Sequence, residues 1–323
     1  MNIAITGGAG FIGTHLCRRL KAAGHTIRII DIRPSATFPD ESVIADVRDL
    51  PALTHALEGI DAIYHLAAEH RDDVSPVQKY YDVNVTGGQH VITSAKTHNI
   101  NTIVFTSTVA VYGLNAGESR ETDPPAPFND YGRSKFQSED SFRDWARADE
   151  KRTLVILRLV ATFGRGNRGN IYTLIQQISS RTFLMIGKGH NYKSIAYVEN
   201  VAAFLKHALT FSTGSHLYNY ADKPDLSTQD MVLTIRKALG LSASGPRIPY
   251  IAGLCGGLVC DILAKITGRK LPVSLVRVRK FCASTVVNAD KLEQTGFHAP
   301  QSLAEGLADM IQNEFPVHKT NAP

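Results

Sequence analysis

Tyr131 and Lys135 stand four residues apart in the stretch Tyr131-Gly-Arg-Ser-Lys135. On a helix, positions i and i+4 share a face, so phenol and ammonium project together. A nearby cation favours the phenolate and lowers the tyrosine pKa, which yields a base usable near neutral pH. Thr108 follows the apolar run Thr102-Ile-Val-Phe-Thr-Ser107, and its hydroxyl can bond a reacting oxygen. Taken alone, Tyr-x-x-x-Lys also describes a solvated helix turn. Its meaning depends on the elements that position it.

The chain opens with a short apolar run over 2–6, then Gly7-Gly-Ala-Gly10-Phe-Ile-Gly13, then a predicted helix over 14–23. In this relative of the dinucleotide fingerprint, Gly7 permits the tight turn and Gly10 lets backbone amides approach a pyrophosphate. Gly13 lets the helix pack close to the strand. The helix N-terminus offers unpaired N–H groups and a positive dipole end to the phosphates. A second strand over 26–31 ends in Asp31, 18 residues beyond Gly13. A carboxylate there accepts from both ribose hydroxyls and repels a 2′-phosphate, which favours NAD; nearby Arg33 keeps NADP open. Asp46, after a short third strand, either meets the adenine amino group or caps the helix predicted over 50–57.

Further strands over 62–68, 102–107 and 154–160 alternate with helices that include 77–99 and 131–149. This order predicts an α/β fold: a Rossmann-type doubly wound parallel sheet with right-handed crossovers, binding ligands beyond its C-terminal strand ends. A smaller C-terminal α/β substrate domain is expected. Residues 1–165 and about 194–222 are assigned to the dinucleotide domain, about 166–193 and 223–315 to the substrate domain, and 316–323 to a flexible tail. His65, inside an apolar strand, reads as a core histidine rather than a catalyst.

Hydrophobic residues make up 43% of the chain and charged residues 20%, as in ordinary globular enzymes. No run approaches the ~20 apolar residues that span a bilayer, and the N-terminus enters a strand directly, so no signal peptide is expected. Cysteines 17, 255, 260 and 282 have no metal spacing and read as reduced thiols of a cytosolic protein. Residues 1–150 carry 14 basic and 20 acidic side chains, the remainder 21 and 10. That basic second half suggests an anionic partner: a phosphate, a nucleic acid or a membrane surface.

Together these residues resemble the extended short-chain dehydrogenase/reductase family, in its group of NAD-dependent sugar epimerases and dehydratases. The resemblance runs through residues 6–13, Asp31, Asp46-Val47, His65-Leu-Ala-Ala68, Val83-Asn84, Ser107-Thr108, Val111-Tyr-Gly113 and the Tyr131/Lys135 pair. It implies that Thr108, Tyr131 and Lys135 carry proton transfer, with Tyr131 as the base. NAD is then held by Gly7, Gly10, Phe11, Ile12, Gly13, Asp31, Asp46, Val47, Leu66, Ala67, Ala68, Asn84, Tyr131 and Lys135. Dehydratases of the group resemble Ser-Thr-Asp-Glu-Val-Tyr-Gly where this chain has Val109 and Ala110. Neither side chain exchanges a proton, so elimination lacks its acid and base, and the resemblance implies C4 epimerisation through a 4-keto sugar. It also implies a homodimer paired through helices such as the one bearing Phe142 and Trp145.

A narrower resemblance, to bacterial epimerases of lipid-linked sugars, runs through 67–76, 80–84, 167–172, 191–194, 218–220 and 260–282. It implies an N-acetylglucosamine/N-acetylgalactosamine substrate on undecaprenyl diphosphate, made for O-antigen, and no nucleic acid. Soluble enzymes of UDP-sugars usually carry asparagine where Ala161 stands and arginine where Lys193 stands. A soluble UDP-N-acetylglucosamine or UDP-glucose 4-epimerase is the alternative, and an NAD(P)-dependent reductase a second one. Expected substrate residues are Glu69, His70, Arg71, Thr108, Asn170, Lys193, Arg277 and Arg279, although 69–73 also reads as a solvated loop. No metal is expected.

Ile251, Leu254, Leu258, Ile262 and Ile266 recur at helical spacing, and six basic residues but no acidic ones fall in 262–280. Such a pattern describes a core helix with a solvated edge, or a helix lying in an anionic membrane interface. With the resemblance, the expectation is a cytoplasmic protein held peripherally on the cytoplasmic face of the bacterial inner membrane.

Overall fold

In the computed structural model, residues 1–71, 74–113, 117–268 and 274–315 are described. Asp72 and Asp73 of the expected sugar cluster, Arg269 and Lys270 of the basic stretch, and the expected tail lie outside them.

Apolar runs punctuated by glycine and polar turns become the strands of one sheet: β1 (Asn2–Thr6), β2 (Thr26–Asp31), β3 (Ser42–Ile44), β4 (Ala62–His65), β5 (Thr102–Thr108), β6 (Thr153–Leu159) and β7 (Gly214–Tyr220). The helices longer than one turn are α1 (Phe11–Ala22), α2 (Leu50–Ala56), α3 (Gly87–Thr97), α4 (Asp130–Arg147), α5 (Asn170–Ser179), α6 (Val198–His207), α7 (Thr228–Ala238), α8 (Tyr250–Thr267), α9 (Leu275–Cys282) and α10 (Leu303–Glu314). The sheet runs β7-β6-β5-β4-β1-β2-β3, and every pair is parallel. The chain starts at β1, moves outward to β3, then returns to β4 and builds the other side. Between β1 and β4 the order reverses, which opens a crevice at their C-terminal ends.

Period-two alternation sends successive side chains to opposite faces. Ile3, Ile5, Val155 and Leu157 pack with Leu16 and Leu20 of α1 and Phe204 and Leu205 of α6. Ala4, Ile63, Ile103, Phe105 and Ile156 face the other way, onto Leu53, Val91, Phe142 and Trp145. Both faces are covered, as a parallel sheet requires. Phe142 and Trp145 thus face their own core, which removes them from any partner surface.

The helix after the glycine loop starts at Phe11, earlier than its periodicity predicts, because the loop itself supplies the first turn. β4 ends at His65, where the chain turns away from the ladder, rather than at residue 68. Residues 77–99 are not one regular helix: a π-helical turn, Tyr81–Thr86, separates a short helical turn from α3.

The chain divides into two compact units: Met1–Thr162, Ala196–Ala221 and Val287–Gln301 form the first; Phe163–Ile195, Asp222–Val286 and the segment from Ser302 form the second. Residues 287–301, expected in the substrate domain, belong with the first. Val287, Ala289 and Leu292 are buried in its core beside Tyr218 and Tyr220, and the Asn288 amide donates to Ser119 O (2.8 Å).

In the second unit α7 packs against α5 and α10, and strands Tyr192–Tyr197 and Asp222–Ser227 pair antiparallel. α8, of 18 residues, packs against α9. By length and composition alone it is long and apolar enough to cross a membrane, with 11% of it buried. Its buried residues are two glycines: a methyl on Gly253 would lie 2.5 Å from Ile186 Cγ2, and one on Gly257 2.9 Å from the Leu275 amide. Ile251, Leu258, Val259, Ile262, Leu263 and Ile266 are exposed. The stripe is therefore not core, and α8 wears its bulky apolar side outward.

Candidate active site

Gly7 adopts φ +71°, and a Cβ on it would sit 2.6 Å from the Ala67 amide, so β1 and the turn after β4 meet only through glycine. α1 begins behind Gly10 with no side-chain cap and no acid in its first turn. Its positive end is left for an anion, which is the environment a dinucleotide pyrophosphate needs. Asp31 closes the loop, accepting from the Ala9 amide (3.2 Å) and the Arg33 amide (3.3 Å). Asp46 is gripped by the Arg48 guanidinium (Nη2–Oδ2, 2.5 Å), whose hydrogen bond holds the carboxyl below its ordinary value despite partial burial. The cap of α2 is Asp49, which accepts from the Ala52 amide (3.1 Å), and not Asp46. Val47 is buried against the N-terminus of α3, where its Cγ2 would lie 2.7 Å from a methyl on Gly87. Leu66, Ala67 and Ala68, half-buried, follow β4, with the Leu66 amide donating to Thr6 O (3.0 Å).

His65 is fully buried. Its Nδ1 lies 2.7 Å from Thr6 Oγ1, and its ring stacks on Phe105. Burial, aided by the charge of Lys135, pushes it down to about 3, so the ring stays neutral at any working pH. It is a core histidine.

Asn129 caps α4, accepting from the Gly132 amide (2.8 Å), and places Tyr131 in the first turn. A methyl on Gly132 would approach Ala110 O to 2.7 Å, so the helix start is pressed against the turn that follows Thr108. The Ala126 amide donates to Val111 O (2.8 Å) and ties the approach to α4 to that same turn. Asn129 and Gly132 were not among the expected site residues; an asparagine just before the predicted helix is the signal that could have found the cap.

Thr108 ends β5, nearly buried, with its hydroxyl oxygen accepting from the Ala110 amide (3.2 Å). The turn Val109–Tyr112 beyond it holds no carboxylate. Tyr131 is half-buried, with its ring centroid 6.5 Å from that of Tyr80. Lys135, one turn on, is 1% exposed, with Nζ 4.1 Å from the Phe105 ring centroid. Desolvation brings its ammonium down to about 7, while Glu139 works in the opposite direction.

Asn84, on the π-helical turn, joins the parts. Its amide accepts from the Glu69 N–H (2.9 Å) and donates to Glu69 O (3.1 Å) and Ser134 Oγ (2.9 Å). The loop after β4 and the helix carrying Lys135 are thereby pinned to one side chain. Glu69 receives Lys79 (2.9 Å) and Arg71 (3.3 Å); burial raises its carboxyl, and these two bonds outweigh that and hold it below the ordinary value. His70 and Arg71 are exposed beside it.

Thr108, Tyr131, Lys135, the glycine loop, Asp31, Asp46, Asn84 and Glu69 all belong to the first unit. Asn170, Lys193, Arg277 and Arg279 belong to the second. There Asn170 opens α5, and Arg277 and Arg279 are exposed on α9, whose Val278 is buried. Lys193 Nζ donates to Lys280 O (2.9 Å) and Ala283 O (2.5 Å), closing the carbonyl end of α9, a role its sequence position did not suggest.

Residues 3–221 match the NAD dependent epimerase/dehydratase family. The N-acetyl-alpha-D-glucosaminyl-diphospho-ditrans,octacis-undecaprenol 4-epimerase of Escherichia coli O157:H7 is 45% identical over 316 residues, covering 97% of this chain and 95% of that one. The UDP-glucose 4-epimerase of Lacticaseibacillus casei is 26% identical, covering 96% and 99%. Among solved structures, UDP-N-acetylglucosamine 4-epimerase from Bacillus cereus shares the fold with a TM-score of 0.76 at 20% identity, covering 96% and 95%. With its glycine cradle, acidic strand end and Tyr131/Lys135 helix, this chain belongs to the NAD dependent epimerase/dehydratase family, and its cofactor is NAD.

Proposed function

We propose that the protein is the 4-epimerase that interconverts N-acetylglucosamine and N-acetylgalactosamine on undecaprenyl diphosphate, in the synthesis of a surface polysaccharide such as O-antigen. One observation carries this reading: the 45% identity to an epimerase of that name extends over 97% of the chain, second unit included. The UDP-glucose 4-epimerase, at 26%, is far more distant.

Bound here, NAD would supply the hydride acceptor and donor for sugar C4. The glycine loop and the start of α1 would hold its pyrophosphate, Asp31 the adenosine ribose, and Asp46 and Val47 the adenine side. Tyr131 takes the proton of the C4 hydroxyl and gives it back after the sugar has turned over. Thr108 bonds that same oxygen. Lys135, close in charge to Tyr131 on one helix face, favours the phenolate. Val109 and Ala110 after Thr108 exchange no proton, which supports epimerisation over elimination of water. In the first unit Glu69, His70 and Arg71 are the candidates to orient a sugar; in the second, Asn170 is a candidate polar contact and Arg277 and Arg279 carry the guanidinium groups that pair diphosphates.

The exposed apolar side of α8, beside the cationic α9, docks on an anionic membrane interface from the cytoplasmic side. The charge complementarity and the outward-facing bulky residues support this. The enzyme acts as a homodimer, as its family resemblance implies.

Purified protein given N-acetylglucosaminyl-diphospho-undecaprenol, then mild acid and sugar chromatography, should yield N-acetylgalactosamine, and UDP-N-acetylglucosamine should stay unchanged. Turnover of the UDP-sugar alone would overturn the lipid-linked reading. A net change in nicotinamide absorbance would instead indicate a reductase.

A further inference from the structure

Tyr131, Lys135 and Glu139 occupy positions i, i+4 and i+8 of α4, and the third of them has no place in the mechanism above. Glu139 is fully buried, and a carboxylate is rarely left there without a task. Arg158 of β6, itself 1% exposed, grips it with two bonds, Nε to Oε1 (2.9 Å) and Nη2 to Oε2 (2.7 Å). Arg143 Nη2 adds a third bond (2.6 Å), and the hydroxyl of Ser107 donates to Oε1. Ser107 is the neighbour of Thr108. The Arg158 guanidinium also lies 4.7 Å over the ring of Tyr112, whose hydroxyl donates to Asn219 (2.7 Å).

We propose that Glu139 is the positioning residue of the catalytic pair: its buried carboxylate supplies the countercharge for Lys135 and holds Ser107 in place beneath Thr108. This inference rests on the roles given above to Tyr131 and Lys135.

Against Lys135 lie the Phe105 ring of β5 and the neutral His65 of β4. Around Glu139 lie Ser107 of β5 and Arg158 of β6, and Asn84 of the π-helical turn bonds Ser134 on the same helix. Among the described residues this leaves Glu139, one turn on, as the carboxylate in that role. On its own helix Lys135 has Tyr131 behind it and Glu139 ahead. Burial alone drives the ammonium toward its neutral form, and Glu139 opposes that. A neutral Lys135 gives Tyr131 no help. Glu139 therefore acts on the reacting oxygen two steps removed, touching neither sugar nor cofactor.

Glu139→Gln keeps the shape and removes the charge, and it leaves Arg158 and Arg143 unbalanced next to Lys135. Lys135 then deprotonates at lower pH, since an opposite charge at this range moves a pKa by about 1–3 units, and the two titrations belong to the coupled pair. The alkaline limb of the kcat profile should move toward acid by about one unit or more, with kcat down roughly 10- to 100-fold above neutrality. KM and NAD content should stay close to wild type. Glu139→Asp should bring back part of the alkaline limb. If the Gln profile superposes on wild type, or falls equally at every pH, Glu139 is only structural and the inference is wrong.

Loss of one partner of a buried pair can unfold a protein. Should Glu139→Gln not fold, Glu139→Gln/Arg143→Met removes the carboxylate together with the guanidinium two turns beyond Lys135 and leaves Arg158 in place, so it carries the same measurement with the same two outcomes. Tyr131→Phe runs alongside: if it keeps turnover, the assignment of the base fails. If it is dead while the Glu139 profiles superpose, only the present inference fails.

Discussion

The Cα of Gly132 lies against the carbonyl oxygen of Ala110, so close that a methyl group there would stand 2.7 Å from it. The residue before Gly132 is the proposed base, and Ala110 is two residues beyond Thr108, so on that proposal this contact sets the spacing of the two groups that share the substrate oxygen. Alanine is the better helix former by about 1 kcal/mol, yet it forces the start of α4 away. Gly132→Ala should lower kcat by roughly 10- to 100-fold, as a displacement of about 1 Å does, while the melting temperature stays near wild type. Unchanged kcat in a folded variant would show that the contact does not set the reacting geometry.

Tyr131→Phe removes one oxygen from the first turn of α4 and leaves the turn intact. Epimerisation should fall by about 10²- to 10⁴-fold, the usual contribution of a general base, with NAD still co-purifying. Sugar chromatography after overnight incubation reads the residual rate.

Asp31→Asn keeps an acceptor for the Ala9 amide but removes the charge proposed to exclude a 2′-phosphate. Cofactor released by heat from the purified variant should include NADP, and its NAD occupancy should be lower. Exclusive, full NAD occupancy would mean that Asp31 is not what discriminates.

His65 titrates near the ordinary histidine value, about 6.5, once unfolded but only at about 3 in the native protein. Its contribution to stability is thus complete above about pH 6.5 and is lost as the pH falls toward 3, at roughly 1.4 kcal/mol per pH unit. In urea titrations at pH 7, 6 and 5, wild type should lose this increment relative to His65→Gln, which is weaker at pH 7 but flatter. Parallel curves would place the protonation elsewhere.

Leu258→Glu/Ile262→Glu alters two half-exposed positions of α8. Co-sedimentation with vesicles of anionic phospholipid should drop severalfold, with turnover of a detergent-solubilised substrate retained. Binding that survives, or that ignores salt and lipid charge, would argue against the interface proposed for α8 and α9.

Much of this architecture was legible in the chain. The strand order up to β6 followed from apolar runs alternating with helical spacing, and the glycine loop announced itself by position as well as composition. β7 was harder, because an edge strand with Ser215, His216 and Asn219 lacks a continuous apolar run, and its pairing with β6 is fixed only by the sheet. The chain offered Asp46 either as an adenine contact or as the cap of α2, and choosing the cap needed the backbone, which selects Asp49. The buried charges were invisible in sequence. Glu139 and Arg158 are 19 residues apart and meet only because α4 lies on the sheet beside β6. Likewise, spacing alone makes the stripe of α8 look like core. What reverses it is the small residue at 253 and again at 257, a seam that shows its meaning only when a neighbour fills it.

That seam has a practical corollary for anyone handling the protein. A helix that gives its neighbour only glycine and turns isoleucine, leucine and valine outward is sticky wherever no lipid covers it. In dilute buffer the molecules should cling to one another, to plastic and to hydrophobic resin. A gentle surfactant at purification should restore a single, well-behaved species without touching the catalytic unit.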